Sequence, residues 1–455
     1  MRKPQSGAIA IMLGLALSLT ACNDSTTTTG DESTDCAITS MTLGSLLRRV
    51  TTATSSGKDT TYNTTVSGNV YPMYIDQLKQ EIYNPDSLPL GTRVTKVAFT
   101  SISSDGMIAY RTASGNDTLY SKSDSLDFTK PRIFVCYAYS GTAKKEYTVH
   151  VNVHQVDPEK FMWGQVDSAN VALSDVTAQK SFIIGDNIYI FAVKGGKPVL
   201  LTSTTANGKA WATTDLPLSG LDPSSVQYFN NQFFALDGTT LMTSADGASW
   251  TSAGSDISPE ALPAVGSNRL FAIMNGAIYA SNNGQTWSKD SLESDAASLP
   301  TGHFTSAWTE MNFNSNFEYI LMAGTTSQGN VEWKKTLDKT GSNDEPWSLY
   351  NTNADDSYVY PAKGESQMIG YDGKTLALTT EGDTLSLFYL TSDAGRTWKQ
   401  QRSSYLHPSG IYATSFSCAV DKDKYIWIFC GGSGAIWRGR INRLAFADNQ
   451  KAFTE

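Results

Sequence analysis

The chain has 455 residues, and 44 Asp and Glu against 35 Lys and Arg leave it with a net charge of −9. Such a polyanion is repelled by nucleic acid, and no basic cluster offsets the repulsion, so nucleic acid is excluded as a partner. With four histidines, five cysteines and no CxxC pair, neither a metal nor another cofactor is expected. At the amino end Arg2 and Lys3 precede an apolar run over residues 8–19, too short to span a bilayer as a mature helix, which reads as a secretory signal. Residues 22–36, rich in Thr, Ser and Asp, have almost nothing to bury and form a flexible tether.

The apolar run ends in Leu19-Thr20-Ala21-Cys22, which resembles the lipobox of bacterial lipoproteins. The resemblance implies that residues 1–21 are a signal peptide and that Cys22 carries lipid as the first residue of the mature chain. Acyl chains at about 0.8 kcal/mol per buried methylene hold a protein on a membrane without a spanning segment. The expected address is the cell envelope, lipid-anchored in the outer membrane, with its periplasmic or surface side left open.

From 37 to 156 the pattern is of alternating strands split by Ser, Gly, Asn and Asp turns, with strands expected at 40–50, 94–101, 132–139 and 147–154. In the last of these Tyr147, Val149, Val151 and Val153 share one face, and His150 and His154 share the wet one. Two imidazoles without a third ligand make a solvated face rather than a metal site. The strand count fits an immunoglobulin-like β-sandwich, read as a spacer. Cys36 with Cys136 and Cys418 with Cys430 can be two disulfides or four buried thiols, and both readings stand.

The rest of the chain, 157–455, repeats. Short glycine turns closed by tryptophan recur at 205–211, 243–250, 280–287 and 391–398, with Gly208, Gly247, Gly284 and Gly395 three residues before Trp211, Trp250, Trp287 and Trp398. Trp163 and Trp347 extend the series to six. Glycine supplies positive φ, and Asp246, Asn283 and Asp393 can bond amides within the turn while the indole packs on the sheet beneath. A unit of this kind with strand-like flanks predicts a β-propeller. The final stretch supplies only three strands, and residues 161–166 are expected to add the fourth, giving six blades; counting Gly434-Ala435-Ile436-Trp437 as a repeat would give seven. The fold class is therefore all-β, an immunoglobulin-like sandwich followed by a six-bladed propeller.

These turns resemble the Asp-box (BNR) repeat of sialidase-like propellers, best at Thr391, Asp393, Gly395, Thr397 and Trp398; Asn282 and Ala245 depart from it. The resemblance implies that the boxes are structural and lie away from any active site. The arginine motif of sialidases is missing, since Pro131-Arg132-Ile133 has its proline on the wrong side and lies in the sandwich, so no catalytic residue is assigned. With the lipobox, and with Tyr83-Asn84-Pro85-Asp86-Ser87-Leu88-Pro89 and HVNVHQVDP at 150–158, the whole arrangement resembles lipoproteins of Bacteroides-type bacteria.

Strand alternation puts the connections between blades on the face opposite the glycine turns, each with a Pro and a nearby Gly: Pro217/Gly220, Pro263/Gly266, Pro300/Gly302, Pro361/Gly364 and Pro408/Gly410. Two of these loops carry residues suited to stacking and hydrogen-bonding a sugar: Asp355, Asp356, Tyr358 and Tyr360, and Arg402, Tyr405 and His407. The expected function is a lipid-anchored recognition protein that binds a glycan or an envelope protein through this loop face. A glycoside hydrolase or other hydrolase, and a structural component of an envelope complex, are the alternatives.

Overall fold

The computed structural model describes residues 33–53, 59–311, 313–341, 343–350, 358–361, 365–402, 405–446 and 451–452. Cys22, Asp355 and Asp356 lie outside these residues, as do the signal segment and most of the tether. The regular elements are β-strands and short 3-10 turns. They fall into two units, one of residues up to Leu46 with Ser67–Asn84 and Val94–Val151, the other of Leu47–Val66, Pro85–Arg93 and the residues from Asn152 on.

In the first unit six strands form one sheet in the order Tyr74–Asp76, Glu81–Tyr83, Lys144–His150, Arg132–Tyr137, Met107–Arg111, Asp117–Leu119. Lys144–His150 runs parallel to Glu81–Tyr83, and the other neighbours are antiparallel. A second ladder pairs Ile38–Leu43 with Phe99–Ser104. The core is aromatic: Phe99 meets Phe128 and Phe134 edge-on at 5.6 and 5.9 Å. The buried Tyr147 hydroxyl donates to Gln77 Oε1 at 2.7 Å, which satisfies a polar group that would otherwise be stranded. The expected strand over 147–154 stops at His150, and His154 is buried and stacked on Phe446 at 4.9 Å. No shared wet face of imidazoles forms.

In the second unit six antiparallel sheets follow one another, each a four-strand meander, the fifth with a short extra strand Thr384–Leu385. Their first strands are Val176–Ile184, Gln227–Phe229, Ala261–Val265, Gly302–Met311, Ser366–Tyr371 and Ser415–Val420. We number the sheets one to six in that order. The fourth strand of sheet six is Phe161–Asp167, paired with Ile436–Ile441. First strands of successive sheets lie side by side, sheet two through the 3-10 turn Pro223–Ser225, and that of sheet six touches that of sheet one. The ring is closed, and the unit is a β-propeller, whose radial repetition leaves only short, protected edges. Gly434 turns the chain between the second and third strands of sheet six, not before an outer strand.

Each of the six indoles wedges against the sheet before its own. Trp211 meets Phe429 of sheet six at 5.7 Å, Trp250 meets Phe191 of sheet one at 6.0 Å, and Trp347 meets Phe271 of sheet three at 5.1 Å. Trp287 packs with Phe229 and Phe234 of sheet two, Trp398 with Leu321 of sheet four, and Trp163 with Phe388 of sheet five. The turns deliver them there. Asp246 Oδ1 accepts the Ala248 and Ser249 amides at 2.9 and 2.7 Å, bonds that hold its carboxyl at about 2. Gly284 has φ +75°, and a Cβ there would sit 2.4 Å from the Phe234 ring, so only glycine fits.

Sheet four lacks the glycine turn and fixes its indole by charge instead. Trp347 Nε1 donates to Asp290 Oδ2 at 3.1 Å, and Asp290 is held by Lys335 Nζ at 3.0 Å. Lys335 is 1% exposed and gives a second hydrogen bond to the Glu345 carbonyl. Cys36, Cys136, Cys418 and Cys430 are all buried free thiols, so neither disulfide forms. One expected Pro and Gly pair is also misplaced: Pro263 stands in the first strand of sheet three and Gly266 just after it.

Candidate functional site

The first strands enclose a channel of about 870 Å³. Side chains stitch its wall from sheet to sheet. Gln367 Nε2 donates to the Gln179 and Phe416 carbonyls at 3.1 and 3.0 Å, Gln227 Nε2 to the Leu262 carbonyl at 2.7 Å, and the Met368 amide to Thr305 Oγ1 at 2.7 Å. The turn Pro223–Ser225, capped by Asp222 through the Ser224 amide, reaches into the ring from the loop after sheet one. There the Phe304 amide donates to Ser224 Oγ at 3.2 Å.

Into this channel the first strands put a small set of chemically active residues. Trp308 is 40% exposed, although it belongs to a strand of the wall. It has no glycine turn before it, and unlike the six wedges it leaves its ring open to the channel. Lys180 Nζ donates to the Ser224 carbonyl at 3.0 Å, and burial pushes its ammonium down to about 7 against the pull of Asp222. Burial pushes the Glu365 carboxyl up to about 7, opposed by the Phe416 amide that bonds it. His303, exposed on the lining, holds φ +52°, a left-handed conformation uncommon outside glycine. Perturbed titratable groups gathered in a cleft mark a functional site.

The loop residues expected to form the site do not come together as a surface. Tyr360, Tyr405 and His407 are each 5% exposed. The Tyr360 ring stands edge-on to Trp398 at 5.3 Å and its hydroxyl donates to Ser366 Oγ at 2.8 Å. Tyr405 is bound to Asp372 and to Arg443, which also holds Glu159 at 2.8 Å, so it locks the closing strand to sheet five. His407 lies between the Ser386 and Pro408 carbonyls, and burial holds its imidazole below the usual range. These three are core residues and cannot stack on a ligand. Tyr358 is 55% exposed with the Lys399 ammonium 5.6 Å over its ring, and Arg402 is exposed. Asp355 and Asp356 fall outside the described residues. Among the described residues no group of three or more His, Cys, Asp or Glu stands close enough to hold a metal ion.

Lys180, His303, Trp308 and Glu365 were not singled out in the sequence. A signal existed for two of them: Trp308 breaks the glycine-turn series, and Lys180 interrupts the strand that continues Ser181-Phe182-Ile183-Ile184.

Ring, indole wedges and lined channel define the chain's second unit as a β-propeller. The chain belongs to the DUF6242 family: the family's β-propeller domain matches residues 157–449, and its N-terminal domain, described as of unknown function, matches residues 41–151. No curated protein matches the chain. Among solved structures, it is similar to a fucose-specific lectin from Aleuria aurantia at 13% identity and a TM-score of 0.35, over 60% of this chain and 93% of that one. It is similar also to a Penicillium chrysogenum α-L-arabinanase complexed with arabinobiose, at 10% identity and a TM-score of 0.35, over 62% and 98%. A GH74 enzyme of Niastella koreensis shares 17% identity at a TM-score of 0.34, over 64% and 49%.

Proposed function

We propose that this protein is a lipid-anchored envelope protein that captures a glycan in the channel of its propeller. The observation that carries the reading is Trp308, an open indole on the wall of a channel large enough for an oligosaccharide. An exposed indole face stacks on the C–H face of a sugar, while a hydroxyl such as that of Thr309 bonds its rim. In this reading the six sheets are six blades, the tryptophan turns are degenerate Asp boxes, and recognition moves from the outer loops to the channel. The N-terminal unit, taken as an immunoglobulin-like sandwich, is a spacer between the lipid on Cys22 and the propeller.

Titration calorimetry with oligosaccharides selected on a glycan array tests the binding. Trp308→Ala should abolish it with the melting temperature unchanged, and equal affinity in the variant would reject the channel as the site. Cys22→Ser should move the protein from the membrane fraction to the soluble one; retention in the membrane would reject the anchor.

One observation favours a hydrolase instead. Glu365, held protonated near neutrality by burial, has the state a general acid requires. Turnover of chromogenic glycosides that is lost in Glu365→Gln would establish that reading.

A further inference from the structure

The channel differs in charge from the molecule around it. Although the chain is acidic overall, the acids on the lining are occupied or enclosed. Glu310 is taken by Lys339 Nζ at 2.6 Å, Asp372 by Arg443 and Lys374, and Glu365 is enclosed against the Phe416 amide. The lining cations are in the opposite condition. Lys180 has no carboxylate within ion-pair distance among the described residues, and its bond to the Ser224 carbonyl uses one of three N–H donors. Asp222, the acid that faces it, is itself engaged by the Ser224 amide and hydroxyl at 2.9 and 2.8 Å. At the far end Lys424 is exposed and likewise without an ion pair among the described residues.

An ammonium with N–H donors to spare, on a lining whose acids are all engaged or enclosed, is a site that lacks its anion. We propose that the captured glycan is acidic, with a carboxylate or sulfate ester seated on Lys180 Nζ and a further sugar ring on Trp308. This rests on the glycan reading above and names the class of sugar. The wall sets a minimum length. The bonds of Gln367 to Gln179 and of Met368 to Thr305 bring Lys180 and Thr305 to neighbouring levels. Trp308 stands three residues beyond Thr305, about 10 Å at the rise of a strand. A monosaccharide does not reach both, and an oligosaccharide does.

The test uses the full chain and four probes in titration calorimetry: trigalacturonate, its methyl ester, a sulfated galactotriose and galactotriose. The acidic probes should bind tighter than the uncharged ones by about tenfold or more, the worth of a charge-assisted hydrogen bond. Lys180→Met should remove the preference, Lys180→Arg should keep most of it, and Trp308→Ala should weaken all four alike. Circular dichroism of each variant checks the fold. The ratio between trigalacturonate and the sulfated probe tells which anion the site prefers. Equal binding of acid and methyl ester, or a preference that survives in Lys180→Met, overturns the acidic class and leaves the glycan reading standing. Binding of none of the probes, with a glycan array also silent, removes both.

Discussion

At each seam of the ring an indole from one sheet fills the same place against the sheet before it, whereas Lys180, Trp308 and Glu365 each occur once around the channel. The difference separates two kinds of constraint. A seam has to be packed dry and identically wherever two sheets meet, so the same residue recurs and even its substitutes keep the geometry. Sheet four reaches that end with Asp290 and Lys335 in place of a glycine turn. The channel wall is held by side-chain-to-backbone stitches that leave the remaining positions free to vary. Repetition stops at the channel wall.

The sharpest way to break this comparison is at sheet four. Asp290→Ala leaves the Lys335 ammonium buried without its partner and should cost about 3–5 kcal/mol in urea unfolding. A loss under about 1 kcal/mol would mean that Trp347 does not depend on the pair. Next comes a glycine seam: Gly284→Ala forces a Cβ into Phe234 and should cost about 1–3 kcal/mol by the same measurement. In the channel, Trp308→Ala should change stability by no more than about 0.5 kcal/mol. A larger loss would make Trp308 another wedge.

A smaller effect separates Lys180 from Glu365 by pH. The Lys180 ammonium is depressed to about 7 in the fold, so its burial opposes folding fully below that pH and is relieved as pH rises toward its unfolded value. Lys180→Met should therefore raise the melting temperature by a few degrees at pH 6 and by less at pH 9. Glu365 is raised to about 7, so its carboxylate opposes folding above that pH and not below its unfolded value of 4.5. Glu365→Gln should stabilise at pH 8 and have no effect at pH 4. Identical shifts at all pH values would show that neither group titrates in the channel. The least perturbing check is on the thiols: burial pushes Cys418 and Cys430 up to about 12. Neither should react with Ellman's reagent at pH 8 until the chain is unfolded; prompt labelling would mean that sheets five and six open readily.

The two constraints also explain what could be read in advance. A glycine turn that aims an indole is local, with donor, acceptor and ring within eight residues, so the repeats at 205–211, 243–250, 280–287 and 391–398 and the closing strand at Phe161 were legible. Tyr360, Tyr405 and His407 look like loop aromatics because their partners are distant in sequence: Asp372 and Arg443 hold Tyr405, and Ser386 holds His407. Alternation along a strand gives two faces but does not tell a seam from a channel. For that reason Trp308 and Lys180 emerge only once the ring is assembled.

Because Phe161–Asp167 is the outer strand of a sheet whose other strands end at Ile441, the first propeller segment to be synthesised must wait for the last. A nascent chain holds an unzipped ring until then, and a product cut short before Ile436 exposes raw strand edges to proteases and to aggregation. Assembly of the channel is thus coupled to synthesis of the last strand of sheet six, which serves as a built-in proofreading step.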